Sequence, residues 1–276
     1  PWIWRARADA DARHHFALCH HVAPIMTFAI VAAMQDELAT LLHDMGRSAT
    51  RSVHGRREFF RGELWGRPCV AVLSRIGKVA AASTAALLIE RHRVDAVLFT
   101  GVAGGLGEQV RVGDAVVGLE FLQHDMDASP LFPRHVVPLD GISRYPADPA
   151  WSERLAKAAK QALQGLRQQW PQGCNGIDLS NSRLHQGLII SGDRFVSTTT
   201  ESQALRTELP DALAVDMEGA AVAQVCRDHG IPFAAVRLVS DRADDSAHPD
   251  FLRLTADLAA PFSFHVLDHL LYQVKA

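Results

Sequence analysis

FAIVAAMQDELATLLHDMG, residues 28–46, decides how the chain is read. Its opening run, Phe28–Met34, is short, continuously apolar and carries β-branched Ile30 and Val31, the pattern of a strand buried on both faces. The period then changes. Leu38, Leu41, Leu42 and Met45 recur at helical spacing, and Gly46 supplies a helix stop. A buried strand running straight into an amphipathic helix is the unit from which α/β folds are built.

The alternation continues downstream. EFFRGELWGRPCVAVLS (residues 58–74) predicts a hairpin turning near Gly66-Arg67, with a strand through Val70–Leu73. Lys78–Arg91, rich in Ala and Leu, predicts a helix. AVLFTG (Ala96–Gly101) is a second buried strand, running into a glycine-rich turn, and DAVVGLEFLQHD a third. Asp148–Leu166 reads as helix, and the polar, Pro- and Gly-bearing stretch Gln168–Arg183 as a surface excursion. GLIIS, a helix around Thr200–Leu209, the strand LAVDM, the helix GAAVAQVCRDHG and the strand FAAVRLVS follow. A C-terminal helical region is expected to break or kink at Pro261. With no repeat and no linker, these elements predict a single α/β domain with a mixed central β-sheet flanked by helices.

The bulk properties fit one such domain. The chain has 276 residues, 48% hydrophobic and 21% charged, with a formal net charge of −3. No basic run interleaved with aromatics marks a nucleic-acid binder. No apolar run reaches the ~18 residues of a membrane span. Cys19, Cys69, Cys174 and Cys226 are scattered without a C-x-x-C pair, which favours reduced thiols in a cytoplasmic protein. Residues 1–25 mix charge, histidine and short apolar pieces without periodicity and are expected to form a disordered extension, with residues 26–276 as the folded domain. His14, His15, Cys19, His20 and His21 in that extension are chemically able to grip a metal, but the frayed reading is preferred, and no metal is expected.

Chemistry concentrates at strand ends, where α/β sheets collect their ligands. AAMQDE, TGVAGG, VDMEGAA and RLVSDRAD all stand in such places, and three of them present an acid: Glu37, Glu218 and Asp241. Taken singly, such a carboxylate is more often a helix cap or a solvated charge. Three in equivalent places suggest a common crevice. TGVAGGLGE spells G-x-x-G-G-x-G, which is neither the dinucleotide fingerprint nor a P-loop.

Together these segments resemble the purine nucleoside phosphorylase/nucleosidase superfamily, and within it the 5′-methylthioadenosine/S-adenosylhomocysteine nucleosidases. The resemblance runs from about Phe28 to the C-terminus. It is carried by AIVAAMQDEL, SRIGKVAAA, TGVAGGL with VGDAVV, QHDMD, GLIISGDRF, VDMEGAAVAQVC and PFAAVRLVSDRAD. It implies hydrolysis of an adenine thio-nucleoside without an organic cofactor or metal, by a homodimer whose QHDMD-to-Pro138 stretch lies near the partner's site. His124 in that stretch is read as structural.

Position by position, the resemblance makes Glu37 the carboxylate that activates water and Arg237 the arginine beside it. Asp241, supported by Ser240, becomes the general acid at purine N7. Glu218 and the Met217 backbone grip the ribose hydroxyls. Phe195 stacks on adenine and the Val196 backbone reads the purine edge, while Ile76, Phe251 and Met217 line the ribose and alkylthio side. Asp241 must then hold a proton near neutral pH; Asp244 and Asp245 are near enough in sequence to help raise its pKa if they face it. The acidic turn AAMQDE would repel a phosphate dianion, which favours hydrolysis over phosphorolysis.

Three departures stand out. Val102 replaces the serine that the nucleosidases place there to help order the water. Arg75 takes a glycine position and is read as a solvated arginine rather than an anion site. MDASPLFPRHVVP (residues 126–138) differs from the bacterial pattern where the alkylthio pocket is shaped. The alternatives are another superfamily member, a nucleoside phosphorylase or a futalosine-type hydrolase, and a non-catalytic purine-binding protein.

Overall fold

The computed structural model describes residues 26–32, 35–46 and 49–273, so the N-terminal extension and its histidines lie outside the described residues. The strands are β1 (Phe28–Ala32), β2 (Thr50–His54), β3 (Arg57–Leu64), β4 (Arg67–Leu73), β5 (Ala96–Phe99), β6 (Val102–Gly105), β7 (Ala115–Gln123), β8 (Arg144–Pro146), β9 (Leu184–Ser191), β10 (Ala212–Asp216) and β11 (Phe233–Asp241). The helices are α1 (Gln35–Met45), α2 (Lys78–His92), α3 (Pro149–Gln169), α4 (Thr199–Glu208), α5 (Gly219–Asp228), α6 (Ala247–Asp257) and α7 (Ala259–Gln273).

All strands join one mixed sheet in the order β2-β3-β4-β1-β5-β11-β6-β10-β9-β7-β8. β1 sits parallel between β4 and β5. β11 pairs with β5 at its start, then with β6 and β7 farther on. Through β6, β10, β9 and β7 the sheet therefore curls back on β11, and its strand ends are gathered together.

The pleat explains why helices cover both faces. Successive residues of β1 point to opposite sides. Phe28, Ile30 and Ala32 join a core with Ala234, Val236 and Leu238 of β11 and with residues of α1, α3, α6 and α7. Ala29 and Val31 join the opposite core with Val97, Phe99, Ala235 and residues of α2 and α5. Every residue of β11 is buried, which is why that strand reads as an apolar run around one arginine.

The mixed sheet, the hairpin at Trp65-Gly66 and the helices stand as expected; Asp148 caps α3 by accepting the Trp151 N–H at 2.9 Å. Two local expectations are corrected. TGVAGG is not a turn: Val102–Gly105 form a strand, because bare glycine backbone lets β6 lie between β11 and β10. The C-terminal helical region divides at Leu258, not at Pro261. Pro261 falls in the first turn of α7, where its missing N–H has no helical acceptor to lose. Residues 170–183 are irregular, as expected of an excursion, yet Cys174, Ile177 and Leu179 pin them to the core. β2 and β8 were not legible: β2 is largely exposed and β8 has 3 residues. No helix among the described residues is long and apolar enough to cross a membrane.

Candidate active site

Where the strand ends converge, a cleft of about 690 Å³ including its open mouth is lined by six segments. β6 gives Val102, Ala103 and Gly104; the loop after β9 gives Arg194, Phe195 and Val196. The end of β10 and the turn beyond give Val215, Asp216, Met217 and Glu218, and the end of β11 gives Ser240 and Asp241. Ile76, ahead of α2, and Phe251 of α6 complete the wall. The Phe195 and Phe251 rings meet edge to face, with centroids 5.9 Å apart. A mostly apolar cleft with a few fixed polar groups suits a small organic ligand.

Asp241 is 1% exposed. Its Oδ2 accepts the Ser240 hydroxyl at 2.7 Å and its Oδ1 the Ala243 N–H at 2.8 Å. Burial pushes its carboxyl above the usual range; Ser240 and Ala243 oppose this, and the charges of Asp244 and Asp250 reinforce it. Asp245, expected to help, instead accepts the Thr199 hydroxyl at 2.6 Å. Gly104 makes the arrangement possible: a Cβ there would stand 3.0 Å from Asp241 Oδ1.

Glu218 accepts the Gly77 N–H at 2.9 Å. Burial and the neighbouring Asp216 push it up to about 7, against the pull of that N–H and of Arg237. Beneath it lies a residue that sequence reasoning missed. Asp216 accepts Ser191 Oγ, the Glu218 and Gly219 N–H groups, and Arg237 Nε at 2.9 Å. Arg237 is fully buried, with its guanidinium 3.9 Å from the centre of the Phe99 ring. It faces Asp216 and does not line the cleft. The available signal for Asp216 was an acid ending an apolar strand in the block that already held Glu218.

Nine of the eleven residues singled out from the sequence therefore meet in the cleft. Arg237 lies behind the wall. Glu37 also stands apart from the lining: it is 1% exposed in the first turn of α1 and accepts Ser263 Oγ of α7 at 2.5 Å. Arg75 is exposed at φ 63°, donates to the Arg56 carbonyl and lies outside the cleft. Its left-handed backbone explains why glycine suits that position. Among the described residues no group of three His, Cys, Asp or Glu side chains is placed to hold a metal.

A mixed sheet of this order, with buried acids gathered at its strand ends around one cleft, has the layout of an α/β enzyme, and the sequence model of the phosphorylase superfamily matches residues 27–271. The chain belongs to that superfamily and, within it, to the 5′-methylthioadenosine/S-adenosylhomocysteine nucleosidases. It is 34% identical over 226 residues to such a nucleosidase from Shewanella sp. (strain W3-18-1), covering 82% of this chain and 90% of the relative. The crystal structure of the Neisseria meningitidis nucleosidase with methylthio-immucillin-A is similar at a TM-score of 0.76 and 34% identity, over 90% of this chain and 99% of that one. The futalosine hydrolase of Helicobacter pylori shares the fold at a TM-score of 0.75 and 29% identity, over 90% and 98%.

Proposed function

We propose that the protein hydrolyses the N-glycosidic bond of 5′-methylthioadenosine, S-adenosylhomocysteine or both, releasing adenine and the thio-ribose. The observation that carries this reading is a pair of buried carboxyls, Asp241 and Glu218, facing one cleft, with burial raising the proton affinity of Asp241.

Cleavage leaves positive, oxocarbenium-like charge on the sugar and negative charge on the base, and two groups must manage the protons. Asp241 supplies a proton to N7 as the C1′–N9 bond breaks, with the Ser240 hydroxyl bound to its other oxygen. Water adds to C1′ and gives its proton to Glu37, a role that rests on the resemblance. Glu218 and the Met217 backbone hold the ribose hydroxyls, with Asp216 and Arg237 fixing Glu218 from behind. Phe195 stacks on adenine, the Val196 backbone reads its edge, and Ile76 and Phe251 face the sulfur side. Acid or base assistance of this kind is worth ~10²–10⁴-fold.

Hydrolysis is favoured over phosphorolysis by the cations. Arg194 is the one cation among the described cleft-lining residues and is paired with Glu201. Arg237 is matched by Asp216. A phosphate dianion would find no unmatched positive charge in that wall.

The test is product analysis in phosphate-free buffer. Methylthioadenosine should yield adenine and free 5-methylthioribose at a rate that added phosphate does not raise. A requirement for phosphate, or appearance of the 1-phosphate, would favour a phosphorylase; cleavage of futalosine alone would favour that hydrolase.

We further propose that the enzyme is a cytoplasmic homodimer serving methionine salvage. The buried free thiols Cys69, Cys174 and Cys226 support the location. Exposed Leu131 and Leu139, in and just beyond the stretch assigned to the partner contact, support the dimer.

A further inference from the structure

Three segments that meet beside the cleft are tied by a closed ring of hydrogen bonds that the proposed mechanism does not use. The Asp193 N–H donates to Asp125 Oδ2 at 2.9 Å, and the Lys78 N–H donates to Asp193 Oδ1 at 2.7 Å. Lys78 Nζ closes the ring on Asp125 Oδ1 at 2.5 Å and also donates to Gln123 Oε1 at 3.1 Å. Asp193 begins the loop whose next residues, Arg194, Phe195 and Val196, form one wall of the cleft. Lys78 begins α2, and the residue before it, Gly77, donates its N–H to Glu218.

The two halves of the cleft are thus joined through consecutive residues. Gly77 holds the sugar-side carboxylate, and Lys78 holds the loop that carries the base-side wall. The fit is close on both sides: a Cβ on Gly77 would stand 3.0 Å from Asp193 Oδ1, and one on Gly192 would stand 2.3 Å from His124 Nε2. Gly192 also donates its N–H to the Asp216 carbonyl at 3.2 Å. The loop is therefore pressed on His124, and Asp125, the next residue, anchors its first turn.

We infer that Asp125 is a positioning residue: with Lys78 and Asp193 it sets the base-side wall against the sugar-side carboxylate, and so sets affinity for the purine. The inference rests on the proposed placement of adenine against Phe195 and Val196. Asp125 touches no reacting atom. Losing it frees the loop but leaves Asp241 and Glu218 in place, so binding suffers more than the chemical step.

The experiment uses the full chain and three variants, Asp125→Ala, Asp125→Asn and Lys78→Met. Affinity for free adenine is measured by calorimetry, and kcat and KM for methylthioadenosine by adenine release. Asp125→Ala should weaken adenine binding and raise KM by about tenfold, the scale of one charge-assisted hydrogen bond, with kcat within about twofold of wild type. Asp125→Asn keeps an acceptor for the Asp193 N–H and should recover part of the loss. Lys78→Met should resemble Asp125→Ala. Unchanged adenine affinity and KM in folded Asp125→Asn and Asp125→Ala, with only Vmax or melting temperature reduced, would overturn the proposal. Adenine binding is read separately from turnover. A wild-type chain that binds adenine without cleaving nucleoside would sink the nucleosidase reading, while the variants' adenine affinities would still decide on Asp125.

Discussion

Replacing Glu218 by glutamine removes a titration whose size follows from the site. The Glu218 carboxyl is pushed up to about 7 in the fold, against an ordinary value of 4.5. It is 8% exposed, so solvent does little to soften the effect. Below pH 4.5 both the folded and unfolded chains hold the proton and stability is unaffected. Between 4.5 and about 7 the unfolded chain releases it while the folded chain keeps it, so wild-type stability falls as pH rises; above that the loss is complete. Linkage gives about 2–3 kcal/mol between about pH 5 and pH 8, at about 1.4 kcal/mol per tenfold difference in proton affinity. The glutamine amide of Glu218→Gln would still accept the Gly77 N–H but has nothing to titrate. Urea unfolding of both proteins at intervals from about pH 5 to pH 8 isolates the group, because the difference between variant and wild type cancels the other titrations. The variant should gain on the wild type steadily across that range. A difference that stays constant with pH, or shrinks as pH rises, would refute the assignment of the cost to a buried, proton-retaining Glu218.

Three further outcomes follow from the packing. Asp216→Ala leaves Arg237 buried without its carboxylate and should cost about 3–5 kcal/mol in chemical denaturation, a loss far larger than an exposed pair would give. Gly104→Ala puts a Cβ 3.0 Å from Asp241 Oδ1 and 3.1 Å from the Ala243 Cβ; displacement of the acid should lower kcat at least about tenfold while the melting temperature moves little. Val102→Ser returns a hydroxyl to the cleft wall and, if it orders the attacking water, should raise kcat about two- to tenfold, the worth of one hydrogen bond, in steady-state kinetics.

The parts of the fold that were legible are those where local pattern and tertiary burial agree. β1, β5 and β11 read as strands because both of their faces are covered, so apolar residues fill them. α3 read as a helix because Asp148, Pro149 and its Leu/Ala stripe all agree. Failures came where the partner supplies the structure. β6 consists of Val-Ala-Gly-Gly, and only its pairing with β10 and β11 makes it a strand. Pro261 reads as a break in the sequence because its place within a first turn is set by the division at Leu258, which no local pattern marks.

The site followed the same division. Cleft residues fell at the ends of readable strands, so Glu218 and Asp241 were found from pattern before any resemblance was used. Asp216 was not, because its importance lies in accepting from three separate segments at once, which no local sequence window contains. Arg237 came from the resemblance alone, and only the packing shows that its guanidinium is matched by Asp216 behind the cleft wall.

The central claim is that Asp241 delivers a proton to the departing purine, and substitution to Asn tests it most directly. Turnover of methylthioadenosine by Asp241→Asn should fall by about 10²–10⁴-fold, with binding of the nucleoside retained within a few-fold and the urea midpoint no lower than wild type. A folded Asp241→Asn enzyme that releases adenine within about tenfold of the wild-type rate would contradict it.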